Sequence, residues 1–248
     1  MDNPVVLITG ALTGIGRATA LAFASEGAHV VVSGRRDEAG TELAAELHRL
    51  SGDSLYIHAD VSSEANVERL INEAHTRFGR IDVAVNNAGV EGRLGPLIDQ
   101  TVDSYSSTFG TNVLGTILSL KHELLVMRAQ GHGNIINISS TLGHKAAPGT
   151  SIYAASKHAI EGLTKVAALE AATFGVRVNA IAPGPVETEM LHRFAVTRER
   201  RDAMLAGVPL KRAGMAEEIA QAILFIASDK AAFVTGHIFA VDGGRSAT

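Results

Sequence analysis

A glycine-rich segment near the start of the chain constrains the fold more than any other feature of the sequence. Gly10, Gly14 and Gly16 follow the apolar run at 4–9 and open a helical pattern that ends at Glu26. Glycines allow a tight turn and a close approach of backbone to phosphate, and the first N–H groups of a helix can bind a pyrophosphate. The spacing differs from the commonest dinucleotide fingerprint, and an ordinary glycine-rich turn is the alternative. Because the segment follows the first strand of an α/β pattern, we predict dinucleotide binding.

Strand patterns and helical patterns alternate along the whole chain. The predicted strands span 4–9, 28–33, 54–59, 81–85, 133–139, 176–182 and 237–241. The predicted helices after the first span 37–51, 63–78 with Ser63 as N-cap, 101–130 as one long or two abutting helices, 151–174 and 216–228, with short helices in a polar excursion at about 186–207. Continuous apolar strands are typical of parallel sheets that are covered on both faces. We therefore predict an α/β fold over 1–248: a single-domain, Rossmann-type doubly wound parallel sheet of about seven strands, with helices on both faces.

Composition narrows the classes of partner. Hydrophobic residues make up 46 % of the chain but aromatic residues only 4 %, so the core must be aliphatic. The net charge is −4 with no basic stripe, and we expect no nucleic acid partner. The chain has no cysteine, which rules out disulfides and thiolate chemistry, and we expect no metal site. No apolar window is long enough for a membrane span and no signal pattern is present, so we expect a cytoplasmic protein.

The end of the second predicted strand bears on which dinucleotide is bound. The sequence there is Ser33-Gly34-Arg35-Arg36, without a carboxylate that could bind the 2′-hydroxyl of NAD. An arginine can instead pair with the 2′-phosphate of NADP. We therefore predict NADP, with NAD as the alternative and Arg35 as a ligand. In the competing interpretation the two arginines cap a surface turn and Asp37 is the helix N-cap.

Tyr153 and Lys157 form a second candidate site. They are four residues apart in a predicted helix and so share one face of it. A lysine ammonium beside a phenol is expected to lower the phenol pKa from its usual value of about 10, which favours proton transfer near neutral pH. A surface pair without function is the alternative, because this spacing also arises by chance.

Taken in order, the motifs resemble those of the classical short-chain dehydrogenase/reductase family over nearly the whole chain. They are Thr9-Gly10-x-x-x-Gly14-x-Gly16, Asp60-Val61, Asn86-Asn87-Ala88-Gly89, Asn112, Ser140, Tyr153-x-x-x-Lys157 and Pro183-Gly184-x-Val186-x-Thr188. The resemblance implies hydride transfer between a nicotinamide and a substrate carbon. It implies Tyr153 as general acid/base, and Lys157 as the group that lowers its pKa and holds the nicotinamide ribose. Ser140 would bind the substrate oxygen, and Asn112 would hold a relay water.

Some of these implied roles have competitors. Ser139 competes with Ser140, but adjacent strand residues point to opposite faces, and the family spacing selects Ser140. Asn112 could be only a satisfied polar residue inside a helix, and Asp60 only a turn residue that closes a strand. The resemblance places Asp60 and Val61 at adenine, Asn87 near the adenosine ribose, Ile15 at the pyrophosphate, and Val186 and Thr188 at the carboxamide. The full expected cofactor set is Gly10, Thr13, Gly14, Ile15, Gly16, Arg35, Asp60, Val61, Asn87, Tyr153, Lys157, Pro183, Gly184, Val186 and Thr188.

The expected substrate pocket is largely apolar. Segments 141–147, 90–96 and 187–207 should line it, with the side chains Leu142, His144, Met190, Leu191 and Phe194. This favours a small aliphatic or alicyclic alcohol or ketone. His144 could touch the substrate, although a solvated loop histidine is the commoner case.

Two other functions remain open at this point. A 3-oxoacyl-carrier-protein reductase is disfavoured because the expected carrier-binding positions, 130–132 and 173–175, lack Lys and Arg. A catalytically silent dinucleotide-sensing scaffold is disfavoured because Ser140, Tyr153 and Lys157 are all present. Members of the family are usually homotetramers, so we expect a homotetramer. The sequence does not distinguish it from a dimer, nor does it name the substrate.

Overall fold

One parallel sheet of seven strands runs through the described part of the chain. The computed structural model describes residues 3–51 and 53–247, so Met1, Asp2, Gly52 and Thr248 of the predicted domain lie outside the described residues. The strands are β1 (Val5–Thr9), β2 (His29–Gly34), β3 (Ser54–His58), β4 (Val83–Asn86), β5 (Gly133–Ile138), β6 (Val176–Pro183) and β7 (Ile238–Val241). Their order in the sheet is β3-β2-β1-β4-β5-β6-β7. The predicted doubly wound sheet is confirmed.

Helices cover both faces of this sheet. They are α1 (Gly14–Ser25), α2 (Asp37–Ser51), α3 (Glu64–Phe78), α4 (Val102–Phe109), α5 (Gly115–Gln130), α6 (Ser151–Ala171), α7 (Glu189–Phe194), α8 (Arg198–Ala206) and α9 (Ala216–Ala227). Val6 and Ile8 of β1 pack in one aliphatic core with α1, α2 and α9. Leu7, between them, packs in a second core with α3, α5 and α6. Successive strand residues point to opposite faces, so a continuous apolar strand feeds both cores.

The predicted helix at 101–130 is interrupted by a wider turn. A π-helical turn, Gly110–Leu114, joins α4 to α5, and Asn112 lies inside it. The predicted helix at 151–174 is also shorter than expected, because α6 ends at Ala171 and a 3-10 turn, Ala172–Phe174, follows it. The polar excursion contains the short helices α7 and α8, as predicted.

Three local predictions differ from the structure. The fourth strand starts at Val83 instead of 81, because the side-chain amide of Gln130 binds both the N–H and the carbonyl of Ile81, at 2.8 and 2.9 Å. Ser63 is at the N-cap position but makes no side-chain cap bond, because its hydroxyl accepts from Asn66 at 2.9 Å. Asp37 is the first residue of α2 instead of its N-cap.

The strand order reverses between β1 and β4, and this positions the site. Ligands of doubly wound sheets bind in the crevice at the carboxyl ends of the strands where the order reverses. The glycine segment follows β1, Asn87 follows β4, and Ser140 follows β5, so they meet at this edge. Within the described ranges, none of the helices is both long and apolar enough to cross a membrane.

Candidate active site

The glycine segment forms a tight turn that is braced by Asn87. Gly10 and Gly14 have φ values of +61° and +54°, which other residues adopt only with strain. The side-chain amide of Asn87 donates to the carbonyls of Thr9, at 3.1 Å, and Gly10, at 2.8 Å. A Cβ atom at Gly16 would lie 2.5 Å from Nδ2 of Asn87, so only glycine lets α1 approach this closely.

A groove along the carboxyl edge contains most of the residues predicted to bind the dinucleotide. Those that line it are Gly10, Thr13, Gly14, Ile15, Arg35, Asp60, Val61, Asn87 and Thr188. Gly16 does not line the groove, because it faces Asn87. The amide hydrogens of Asn87 are committed to the turn, so its expected contact with the adenosine ribose stays a prediction.

Arg35 lines the groove beside Asp60. Its guanidinium is 3.7 Å from the carboxylate of Asp60, and its side chain is 65 % exposed. Ser62 donates to Asp60 through both its hydroxyl and its N–H, at 2.7 and 3.0 Å, and these bonds hold the pKa of Asp60 below its ordinary value. Asp60 therefore closes a turn and also faces the groove. Asp37, the N-cap of the competing interpretation, makes other contacts: its Oδ1 accepts from the hydroxyl of Tyr56 at 2.9 Å and lies 2.7 Å from Nδ1 of His58.

Ser140, Tyr153 and Lys157 meet in a second, more apolar pocket that adjoins the groove. The hydroxyl of Ser140 accepts from the N–H of Leu142 at 3.1 Å and acts to lower the pKa of the nearby Tyr153 phenol. The hydroxyl of the preceding Ser139 points the other way and donates to Glu161 at 3.0 Å. The structure thus places Ser140, and not Ser139, beside the phenol.

The expected effect of Lys157 on Tyr153 is not found. Burial raises the pKa of Tyr153 to about 12, while the hydrogen bond with Ser140 acts to lower it and the charge of Glu91 adds to the rise. Burial also lowers the pKa of Lys157 to about 8. The Lys157 ammonium donates to the carbonyl of Ile138 at 2.8 Å and lies 5.6 Å from the centre of the Tyr153 ring. The prediction of a lowered phenol pKa is therefore wrong for this structure, because burial is the largest effect on the phenol.

Asn112 is fully buried, and its side chain joins three elements. Its Oδ1 accepts from the N–H of Val90 at 2.8 Å. Its amide group donates to the carbonyl of Val90 at 2.9 Å and to the hydroxyl of Ser156 at 3.0 Å. Both amide hydrogens are thus in use, and the expected relay water stays a prediction.

The pocket around Tyr153 has the predicted apolar wall, with exceptions. Predicted residues that line it are Leu142, Met190, Leu191, Phe194, Pro183, Gly184 and Val186. His144 does not line it, because its ring turns to Glu161, with Nδ1 2.9 Å from Oε1. The segment 90–96 does not line it either: Val90 lines the groove instead, and Glu91 forms an ion pair with Arg193 of α7. Met204, within the predicted segment 187–207, also lines the pocket, and so does Arg245, which was not predicted.

Helix α7 covers the junction between the groove and the pocket. Thr188 caps its first turn by accepting from the N–H of Leu191 at 3.4 Å. Met190 lines both cavities, and the ring of Phe194 packs edge-on against Tyr153 at 5.4 Å. The ion pair between Arg193 and Glu91 joins α7 to the segment after β4. This helix therefore separates the candidate proton donor from solvent.

A glycine turn at the switch point of a parallel sheet, beside a pocket lined by Ser140 and the buried Tyr153 and Lys157, is typical of dinucleotide-binding α/β enzymes. The chain belongs to the short-chain dehydrogenase/reductase family of oxidoreductases. A family model described as "Enoyl-(Acyl carrier protein) reductase" matches residues 10–246.

Two relatives extend over nearly the whole chain. The short chain dehydrogenase/reductase astE of Aspergillus oryzae is 40 % identical over 252 residues, which cover 99 % of this chain and 96 % of that protein. The cis-4-hydroxycyclohexanecarboxylate dehydrogenase of Sinomonas cyclohexanicum is 39 % identical over 243 residues, which cover 98 % and 96 %.

Three solved structures have the same fold. Levodione reductase superposes with a TM-score of 0.95 at 37 % identity, over 99 % of this chain and 98 % of that one. ElxO with NADP bound gives 0.93 at 34 % identity, over 99 % and 100 %. NAD⁺-bound xylitol dehydrogenase gives 0.94 at 32 % identity, over 98 % and 99 %.

Proposed function

We propose that this protein transfers hydride between a nicotinamide cofactor and a small, mainly apolar alcohol or ketone. The observation that carries the proposal is that Ser140, buried Tyr153 and buried Lys157 line one apolar pocket, which adjoins the glycine-lined groove. A substrate oxygen between these hydroxyls would meet a donor on each side. A bound nicotinamide would supply or accept the hydride, which is the chemistry of that group.

The groove fits a dinucleotide by its own geometry. Gly10 and Gly14 have positive φ, and the start of α1 presents N–H groups toward the groove. Similar structures hold NADP in one case and NAD⁺ in another, which supports a nicotinamide cofactor without deciding between the two. We favour NADP, because Arg35 and Arg36 line the end of the groove and Asp37 does not.

Each side chain of the cluster has a distinct role in the proposed reaction. During reduction, Tyr153 gives its phenolic proton to the substrate oxygen, which becomes the alcohol oxygen. Ser140 donates a hydrogen bond to the same oxygen as negative charge develops on it. Lys157 provides positive charge beside the phenolate that forms. Asn112 holds the segment after β4 in place through its two bonds to Val90.

The pocket supports a compact apolar substrate. Leu142, Leu191 and Phe194 form its wall, and the family relative from Sinomonas cyclohexanicum is named for an alicyclic alcohol. A substituted cyclohexanone or cyclohexanol has the size and polarity for such a wall, with one oxygen for Ser140 and Tyr153.

A substrate panel tests the proposal. Oxidation of NADPH and NADH is followed with substituted cyclohexanones, aliphatic ketones, acetoacetyl thioesters and sugars. We expect the cyclic ketones to give the highest kcat/KM. Tyr153→Phe should reduce kcat by about 100-fold or more, while Tyr105→Phe, a half-exposed control on α4, should leave it unchanged. Preferred turnover of acetoacetyl thioesters would replace the proposal with a 3-oxoacyl reductase. Full turnover in Tyr153→Phe would overturn the catalytic assignment.

We also propose that the protein is a homotetramer. Leu125 of α5 and Val166 and Leu169 of α6 are 59, 55 and 79 % exposed. These two helices are neighbours, and a subunit interface over them would bury all three side chains. Light scattering coupled to gel filtration measures the assembly. Leu169→Arg should lower the mass of the assembly if this face is buried between subunits. An unchanged mass would show that this face is not the subunit interface.

A further inference from the structure

Glu161 is a buried carboxylate on the same stripe of α6 as Tyr153 and Lys157. It follows Lys157 by one helical turn and is only 7 % exposed. A buried carboxylate destabilises the fold unless hydrogen bonds compensate for the water it loses. The proposed reaction does not use Glu161, so its burial at this position calls for an explanation.

The carboxylate binds both ends of the segment that carries Ser140. Its Oε1 accepts from the hydroxyl of Ser139 at 3.0 Å and lies 2.9 Å from Nδ1 of His144. At this distance the carboxylate oxygen and the ring nitrogen share one proton in a hydrogen bond. Ser139 directly precedes Ser140, and His144 directly follows the 3-10 turn Thr141–Gly143.

The turn between these two contacts packs directly on the carboxylate. A Cβ atom added at Gly143 would collide with Oε1 of Glu161 and would lie 2.5 Å from the hydroxyl of Ser139. Within the same turn, the N–H of Leu142 donates to the hydroxyl of Ser140 at 3.1 Å. The direction of the Ser140 hydroxyl thus depends on a turn that Glu161 holds at both ends.

We propose that Glu161 is a positioning residue that holds Ser140 against Tyr153 by tying the segment 139–144 to α6. Helix α6 carries the phenol and β5 leads to the serine, and the carboxylate joins the two elements beside the reacting groups. The effect on turnover rests on the proposed function. The tether itself is a property of the fold and can be measured without a substrate.

Substitutions at Glu161 separate positioning from packing. Glu161→Leu fills the space but removes both hydrogen bonds, and Glu161→Gln keeps an oxygen that can accept them. We expect Glu161→Leu to lower kcat on the best ketone of the panel by about 10- to 100-fold, because small displacements of reacting groups have effects of this order. The Kd for NADPH, measured by fluorescence titration, should stay within about twofold, since the groove is not touched. Glu161→Gln should restore most of kcat.

Two further variants keep the test decisive if Glu161→Leu does not fold. Glu170→Gln, on the exposed side of the same helix, is the matched control and should behave as the wild type. Ser139→Ala removes only one contact of the tether and should lower kcat by about three- to tenfold, the equivalent of one lost hydrogen bond. A normal kcat in Ser139→Ala would overturn the proposal, and so would an equal loss of kcat in Glu161→Gln and Glu161→Leu.

Hydrogen exchange provides a readout that does not depend on turnover. Exchange of the amides in 140–144, followed by mass spectrometry, should be faster by about tenfold or more in Glu161→Leu and unchanged in Glu161→Gln and Glu170→Gln. Unchanged exchange in Glu161→Leu would show that Glu161 does not hold the segment 139–144 in place. If the wild type reduces no member of the panel, the proposed function fails, and the exchange result alone then decides this inference.

Discussion

The ammonium of Lys157 donates to the carbonyl of Ile138 at 2.8 Å, and this bond joins α6 to the last residue of β5. Ile138 lies two residues before Ser140, so the lysine fixes the strand that carries the serine while it remains 5.6 Å from the ring of Tyr153. Lys157 therefore has a structural bond and a proposed electrostatic role. The electrostatic role affects turnover and the structural bond affects stability, so the two roles can be measured separately in one variant.

Lys157→Met should remove the charge and leave the carbonyl of Ile138 without its donor. We expect kcat to fall by about 100-fold or more, because the phenolate formed at Tyr153 loses its neighbouring cation. The free energy of unfolding should fall by less than the roughly 1–3 kcal/mol cost of a buried unpaired carbonyl, because Met also removes the buried ammonium that desolvation disfavours. Steady-state kinetics and urea unfolding measure the two effects. Lys165→Met, at an exposed position of α6, is the control. A loss of stability with normal kcat would leave only the structural role.

Arg35 decides the cofactor preference in our proposal. The ion pair between Arg35 and Asp60 is exposed to solvent and contributes little to stability. The guanidinium can therefore turn toward a 2′-phosphate at little cost. A hydrogen bond to a charged group is worth about 1.5–3 kcal/mol, so Arg35→Ala should raise the Kd for NADPH by about 10- to 100-fold. The Kd for NADH should not change. Fluorescence titration measures both constants, and Arg49→Ala, at an exposed position of α2, is the control. An unchanged preference would exclude Arg35 as its cause.

The helical glycines Gly16 and Gly162 should respond in opposite ways to alanine. A Cβ at Gly16 would lie 2.5 Å from both Asn87 and the carbonyl of Gly10, whereas a Cβ at Gly162 meets nothing within 4 Å. We expect Gly16→Ala to destabilise the protein by about 1–3 kcal/mol and to weaken dinucleotide binding, because the braced turn must move. Gly162→Ala should stabilise the protein by about 0.5–1 kcal/mol. Thermal unfolding and cofactor titration check both, and normal NADPH binding in Gly16→Ala would contradict the role given to the turn.

The fold could be predicted from the sequence because its signals are local. Residues 5–8 are apolar and are followed by Gly10, Gly14 and Gly16. At the start of an alternating strand–helix pattern, this predicts a buried strand that leads into a phosphate-binding turn. The relative orientation of Ser139 and Ser140 was also predictable, since neighbouring residues at a strand end point to opposite sides.

The bonds between distant elements could not be predicted in the same way. Asn87 binds a turn that lies 77 residues earlier in the chain, and His144 turns from the pocket to Glu161, 17 residues later. No periodicity marks such partners. The phenol pKa of Tyr153 depends on how deeply the fold buries it, and the Tyr-x-x-x-Lys spacing carries no information about burial.

Glu123 of α5 is a second buried carboxylate that the sequence did not single out. Its Oε2 accepts from the side-chain amide of Asn86 at 3.0 Å. Its Oε1 and the Oδ1 of Asn86 are both buried, and neither has a hydrogen-bond partner among the described residues. Burial raises the pKa of Glu123 to about 7 from an ordinary value of 4.5, although the bond from Asn86 acts in the opposite direction. Protonation of Glu123 would add a hydrogen-bond donor to this site, where Oε1 of Glu123 and Oδ1 of Asn86 both lack one.

The raised pKa makes stability depend on pH with a defined sign. Between pH 4.5 and about 7 the folded protein binds more protons at Glu123 than the unfolded chain does. This contribution to stability is fully present below pH 4.5 and is lost as the pH rises through 7, with a total of about 3 kcal/mol. Glu123→Gln cannot ionise, so its stability relative to the wild type should increase from pH 5 to pH 8. Urea unfolding across this range measures the difference. Glu170→Gln should show no such trend, and parallel curves for Glu123→Gln and the wild type would mean that Glu123 is ionised in the folded protein throughout.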